Sequence, residues 1–240
     1  ANYLTKKLKD MNNFITRTLT GVIFAFSILA SIYFQESYFT LSALFSVFCV
    51  LGLYEFYKLV NLNENVQVPS IALIIAGVVL YAGCIQWAFL GTATLIIVYA
   101  FYILSLVIAE LYRNKPAPMH NLAFSVLGQL MIALPFSMLN LMATTDNVHW
   151  ILALFILIWV SDTGAYLTGM LLGKHKFFER ISPKKTWEGF IGGALFAIGG
   201  SLVFWYFFPI APIWQWIVFG VLVVLFGTYG DLFESLLKRS

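Results

Sequence analysis

Charge is the scarcest commodity in this 240-residue chain: only 10% of its residues are Asp, Glu, Lys or Arg. A soluble domain carries about 25% charged residues, so the chain lacks the polar surface that a dissolved domain needs. Cysteine is nearly absent as well. Cys49 and Cys84 lie far apart inside apolar runs, with no CxxC and no His/Cys cluster, so neither a disulfide framework nor a zinc site is indicated. His120, His149 and His175 form no spaced cluster, and there is no Walker loop or nucleophile–base motif. No soluble domain, low-complexity linker or internal repeat is visible.

What the chain has is apolar length, with 61% hydrophobic residues. A spanning helix needs about 20 predominantly apolar residues. Eight runs qualify, at about 18–34, 39–57, 70–90, 92–109, 122–143, 149–172, 190–208 and 213–232. The expected fold class is all-α: a polytopic integral membrane protein with about eight transmembrane helices. A basic interfacial segment (1–17) leads into N-terminal transmembrane helices (18–145) and a catalytic-type transmembrane region (146–240). No small-residue cleavage site follows the first run, which therefore reads as a retained span.

The basic residues test this map. Lys6, Lys7, Lys9 and Arg17 precede the first span, Lys58 follows the second, and Arg113 and Lys115 follow the fourth. Lys174, Lys176, Arg180, Lys184 and Lys185 follow the sixth, and Lys238 and Arg239 the eighth. These are all 14 basic residues, and the intervening loops near Glu36, Gly91, Asp146 and Pro209 hold none. Cytoplasmic loops carry the Lys/Arg excess, so both termini are expected in the cytoplasm. An error of one span would scramble the alternation.

An ionisable side chain is costly in lipid and marks a functional site by default. Glu55, with Lys58 three residues on, and Glu110 lie near span ends and read as interfacial anchors. Asp162 is different, because it lies within the sixth run, flanked by Ser161 and Thr163, with Gly164 and Gly169 allowing close approach. Asp231 opens a second cluster. At about 100° per residue, Asp231, Glu234, Ser235 and Lys238 share one face of a helix that is otherwise apolar.

Between them lies Ser182-Pro183-Lys184-Lys185-Thr186-Trp187-Glu188-Gly189. Ser182 before Pro183 reads as an N-cap, with Thr186 an alternative nearer the seventh span. Either choice brings two lysines to a helix N-terminus, a setting that favours phosphate. Carboxylates can hold Mg²⁺ against substrate phosphates, and a phosphate nucleophile is already ionised near neutral pH. An absent catalytic histidine is then expected, and phosphoryl or nucleotidyl transfer at the membrane surface follows.

At these residues the sequence resembles the phosphatidate cytidylyltransferases, or CDP-diacylglycerol synthases. The matching stretches are Ser161 to Tyr166, Ser182 to Gly189, and Gly230-Asp231 through Ser235-Leu236-Leu237-Lys238-Arg239-Ser240. The likeness is strongest from about residue 155 onward. It implies a Mg²⁺-dependent transfer of CMP from CTP to phosphatidic acid, giving CDP-diacylglycerol and pyrophosphate in phospholipid biosynthesis. Asp231 and then Asp162 would be metal ligands, acting with Lys185 and Lys238 as the catalytic set. Lys184, Lys185 and Thr186 would hold the triphosphate and Ser182 would shape the loop. Glu188, Ser235 and Arg239 would complete the substrate site. The implied setting is a bacterial inner membrane with the active face cytoplasmic, membrane lipids as surroundings, no nucleic-acid partner, and a homodimer as an allowed assembly.

The family signature beginning at Ser235 continues with a Lys-Asp pair and a His-Gly-Gly and Asp-Arg segment, whereas this chain stops at Ser240. A C-terminally truncated chain, inactive alone, is therefore expected. Rival readings are a related CTP-dependent lipid kinase, a transporter or channel with Asp162 and Asp231 as an intramembrane ion site, and a non-catalytic assembly factor.

Overall fold

A computed structural model describes residues 19–33, 39–143 and 148–237. The protein is a polytopic helical membrane protein. Among the described residues, seven helical segments are long and apolar enough to cross a membrane, and a shorter apolar helix, α1 (Leu19–Tyr33), coincides with the first predicted run. The expected basic segment 1–17 lies outside the described residues. The chain divides into two compact units, Ala1–Val148 and His149–Ser240.

In the first unit, α1 is followed by α2 (Phe39–Val60), α3 (Ser70–Leu90) and α4 (Thr94–Tyr112). The fifth span combines α5 (Pro118–Gly128), a π-helical turn (Gln129–Ala133) and α6 (Leu134–Ala143). Here α3 packs against α2, α4 and α6. The tight turn expected at Gly91 exists. Gly91 ends α3 at φ 63°, a left-handed conformation that costs glycine little, and its N–H donates to the Trp87 carbonyl at 3.0 Å.

The π turn has a cause in the sequence. Pro135 lacks an N–H and its ring crowds the carbonyl four residues back, and a widened turn is a common way to absorb such a break. Gln129 at the start of that turn is fully buried. Its amide donates to the Leu73 carbonyl at 2.7 Å and the Tyr57 hydroxyl at 3.0 Å. Tyr57 in turn donates to the Ser125 carbonyl at 2.9 Å, so the widened helix is tied to α2 and α3.

Both glutamates expected to be anchors have local partners. Glu55 lies 3.5 Å from Lys58 on the exposed end of α2. Glu110 is buried, 2.6 Å from Arg113, and accepts from Asn121 at 2.6 Å. Asn121 Oδ1 takes the Gln67 N–H, while Arg113 reaches the Gln67 carbonyl. The carboxylate is fully engaged in fastening the α2–α3 connection to the α4–α5 turn.

The second unit is α7 (His149–Leu172), a hairpin of β1 (Lys176–Phe178) and β2 (Ser182–Thr186), then α8 (Trp187–Phe207) and α9 (Ile213–Leu237). The α8–α9 turn falls at the expected prolines, Pro209 and Pro212. Near that turn an aromatic stack joins all three helices. Trp150 of α7 stacks on buried Trp216 of α9, with centroids 4.3 Å apart, and Trp216 lies 5.8 Å from Phe204 of α8.

Toward the other end, glycines bring α7 and α8 backbone to backbone. A Cβ on Gly189 would sit 2.9 Å from the Ala165 carbonyl oxygen, and one on Gly164 would sit 2.6 Å from the Phe196 ring. This close approach positions the site.

Candidate functional site

The hairpin explains how three consecutive residues can serve one pocket. In a regular strand, neighbouring side chains point to opposite faces. Here Lys176 pairs with Thr186 and Phe178 with Ser182, so β2 carries extra residues and the ladder bulges. Pro183, with no N–H to donate, sits within that stretch. A bulge re-aims side chains, and Lys184, Lys185 and Thr186 all line the same cavity. Thr186 also ends the strand by capping α8, its Oγ1 accepting from the Gly189 N–H at 3.2 Å. The alternative cap is thus the real one, and Ser182 opens β2 instead. Ser182 could not cap α8 because the chain from 182 to 186 is extended, and the helix begins only after Thr186.

The cavity has a volume of about 590 Å³. One face of α7 supplies Ile158, Ser161, Asp162, Ala165, Tyr166, Gly169 and Met170. From α8 come Gly189, Phe190 and Gly193, from α9 Val224, Gly227, Thr228 and Asp231, and from β1 Phe177. Charged groups crowd one side: Lys185 Nζ lies 2.6 Å from Asp231 Oδ2 and 3.4 Å from the Thr228 carbonyl that it also meets. Asp162 lies in the field of both Lys185 and Asp231. Two carboxylates and two ammonium groups therefore face one space, beside the N-terminus of α8, whose dipole favours anions.

Asp162, Asp231, Lys184, Lys185 and Thr186, five of the expected site residues, are brought together here. Glu188, Ser182 and Ser235 are not among the residues lining the cavity. Ser235 lies one turn beyond Asp231 on α9, and Ser182 at the far end of β2. The Glu188 carboxylate turns to the chain leaving α7, accepting from the Lys174 N–H at 3.1 Å and the His175 N–H at 3.2 Å, with His175 Nδ1 at 2.6 Å. Lys238 and Arg239 lie outside the described residues. Not anticipated from the sequence were Phe177 and Phe190, stacked at 5.2 Å and 11°, which form an aromatic wall. Phe177 also meets the Trp187 edge at 4.4 Å. The adjacent aromatics of 177–178 and 187–190 were the available signal, masked by the general abundance of aromatics at membrane surfaces.

Among the described residues no group of three or more His, Cys, Asp or Glu comes together as a metal cage. The donor set does suit Mg²⁺, which commonly takes one or two carboxylates and completes its shell with waters and substrate phosphates. Asp162 and Asp231 meet that description and a closed zinc-type site is not required.

Comparison with known proteins identifies the family. The model described as the Cytidylyltransferase family matches residues 15–240, and the chain belongs to that family. It is thereby a nucleotidyltransferase by family. Among curated proteins it is similar to the phosphatidate cytidylyltransferase of Staphylococcus aureus strain COL, 35% identical over 198 residues covering 79% of this chain and 74% of the relative. That of Staphylococcus haemolyticus is 33% identical over 195 residues, with the same coverage of 79% and 74%. In Staphylococcus saprophyticus the phosphatidate cytidylyltransferase is 43% identical over 97 residues, 40% of this chain and 37% of the relative. Neither the transporter nor the lipid-kinase reading draws support from these similarities.

Proposed function

We propose that this protein transfers CMP from CTP to phosphatidic acid, forming CDP-diacylglycerol and pyrophosphate. The observation that carries the reading is the convergence of Lys184, Lys185 and Thr186 with Asp162 and Asp231 on one cavity of a cytidylyltransferase-family chain. A lipid phosphate oxygen forms the new bond to the α-phosphorus of CTP. The bond between that phosphorus and the bridging oxygen to the β-phosphorus breaks, and pyrophosphate leaves with its electron pair. The nucleophile arrives ionised, so no side chain has to remove its proton. The protein's task is placement and charge neutralisation, the main contributions in phosphoryl-type transfer.

Lys184 and Lys185 supply positive charge to the triphosphate, the Thr186 hydroxyl supplies a neutral donor, and the α8 N-terminus adds its dipole. Asp162 and Asp231 would hold Mg²⁺, which when bound neutralises phosphate charge. Lys185 has a second duty, compensating Asp231, its neighbour at 2.6 Å. The distribution of Lys and Arg supports a cytoplasmic setting for this side of the protein, where CTP is available.

The test is product analysis with purified full-length protein in vesicles containing phosphatidic acid, CTP and Mg²⁺. Equimolar CDP-diacylglycerol and pyrophosphate are expected. Phosphate transfer to a lipid without CMP, or solute flux independent of CTP, would overturn the reading.

A further inference from the structure

A two-stranded hairpin is marginal on its own, yet this one carries Lys184, Lys185 and Thr186 to the cavity. Something must hold it at a fixed height over the helices. Its aromatic side packs Phe177 on Phe190 and Trp187, but apolar packing alone is compatible with sliding. The polar attachments are directional. The Trp187 N–H donates to the His175 carbonyl at 2.9 Å. Within the first turn of α8, the Glu188 carboxylate collects the Lys174 and His175 backbone N–H groups and the His175 ring. Hydrogen bonds to an ionised acceptor are about twice as strong as neutral ones, and a carboxylate in a first helical turn is favoured by the helix dipole.

We infer that Glu188, partnered by His175, is a positioning residue: a clasp that fixes the entry of the hairpin to α8 and thereby sets where Lys184 and Lys185 meet the triphosphate. The geometry separates this role from substrate contact, because Glu188 faces the chain at 174–175 and does not line the cavity. It also explains why an acidic side chain is tolerated next to an anion site. Its charge is consumed by the two backbone N–H groups and the imidazole. The inference rests on the proposed nucleotide role of the hairpin, and one of its two readouts is independent of turnover.

The first readout is hydrogen–deuterium exchange of the backbone amides of 174–186 in full-length protein, wild type against Glu188→Ala, Glu188→Gln and His175→Ala. Exchange should rise most in Glu188→Ala and less in Glu188→Gln, which keeps an acceptor oxygen. Unchanged exchange in Glu188→Ala overturns the clasp, whatever the activity. The second readout is steady-state kinetics. KM for CTP should rise at least fivefold in Glu188→Ala while KM for phosphatidic acid stays within twofold. The double variant with His175→Ala should be no worse than Glu188→Ala alone. Multiplying effects would mean that Glu188 acts on substrate directly, and would overturn the positioning role. Faster exchange in Glu188→Ala, in a protein whose wild type turns over no CTP, would leave the clasp standing and count against the proposed function.

Discussion

Replacing Lys185 by methionine separates charge at the site from charge in the fold. The ammonium lies 2.6 Å from the Asp231 carboxylate, with side chains 27% and 54% exposed. A pair this open to solvent contributes about 0–1 kcal/mol to stability. In a chain of this size 1 kcal/mol shifts the melting temperature by about 2–4 °C, so Lys185→Met should melt within about 4 °C of wild type. The effect on chemistry is larger. A preorganised donor aimed at charge that develops in the transition state is worth about 2.7–4 kcal/mol, or about 10²–10³ in rate. Asp231 is also left without its compensating cation. Transfer of label from CTP to phosphatidic acid in mixed micelles should therefore fall at least a hundredfold. Lys185→Arg keeps the charge but not the compact ammonium, and should fall between the two. A loss below threefold in Lys185→Met, or a loss that merely tracks unfolding, would refute the reasoning.

Asp162→Asn and Asp231→Asn should each reduce CMP transfer by about two orders of magnitude or more and raise the Mg²⁺ concentration giving half-maximal rate, measured by metal titration. Full activity in Asp231→Asn would contradict its place in the site. Gly164→Ala forces a methyl against the Phe196 ring, 2.6 Å away, and should cost about 1–3 kcal/mol in detergent melting experiments. Glu110→Ala strands Arg113 beside a buried position where the glutamate side chain is only 6% exposed. It should destabilise by about 3–5 kcal/mol while leaving KM for CTP within twofold. A change below 1 kcal/mol would mean that the pair does not fasten the α2–α3 connection.

The spans were legible because lipid imposes one rule on every residue of a run. The connections at Gly91 and at Pro209 and Pro212 follow from backbone chemistry that is local. Asp162 and Asp231 stood out for the same reason: a carboxylate in an apolar helix needs an explanation. What escaped reading depends on chain segments that meet only after folding. β1 has three residues, too few to produce a periodic signal, so the loop after α7 did not declare itself a hairpin. Without the hairpin, Ser182 and Thr186 were equally good caps. The partner of Glu188 lies 13 residues away, across a chain reversal, so its bond to His175 was not legible in the sequence. The π turn before Pro135 likewise needs tertiary partners, Leu73 and Tyr57, to stabilise its side chain.

CTP is expected to bind in the cavity lined by Asp162, Lys185 and Asp231. Footprinting of lysine amines with an acylating reagent, read by mass spectrometry with and without Mg²⁺ and CTP, tests it directly. The nucleotide should protect Lys184 and Lys185 and leave Lys58 and Lys115 equally reactive. Equal labelling of Lys184 and Lys185 at saturating CTP would contradict the account.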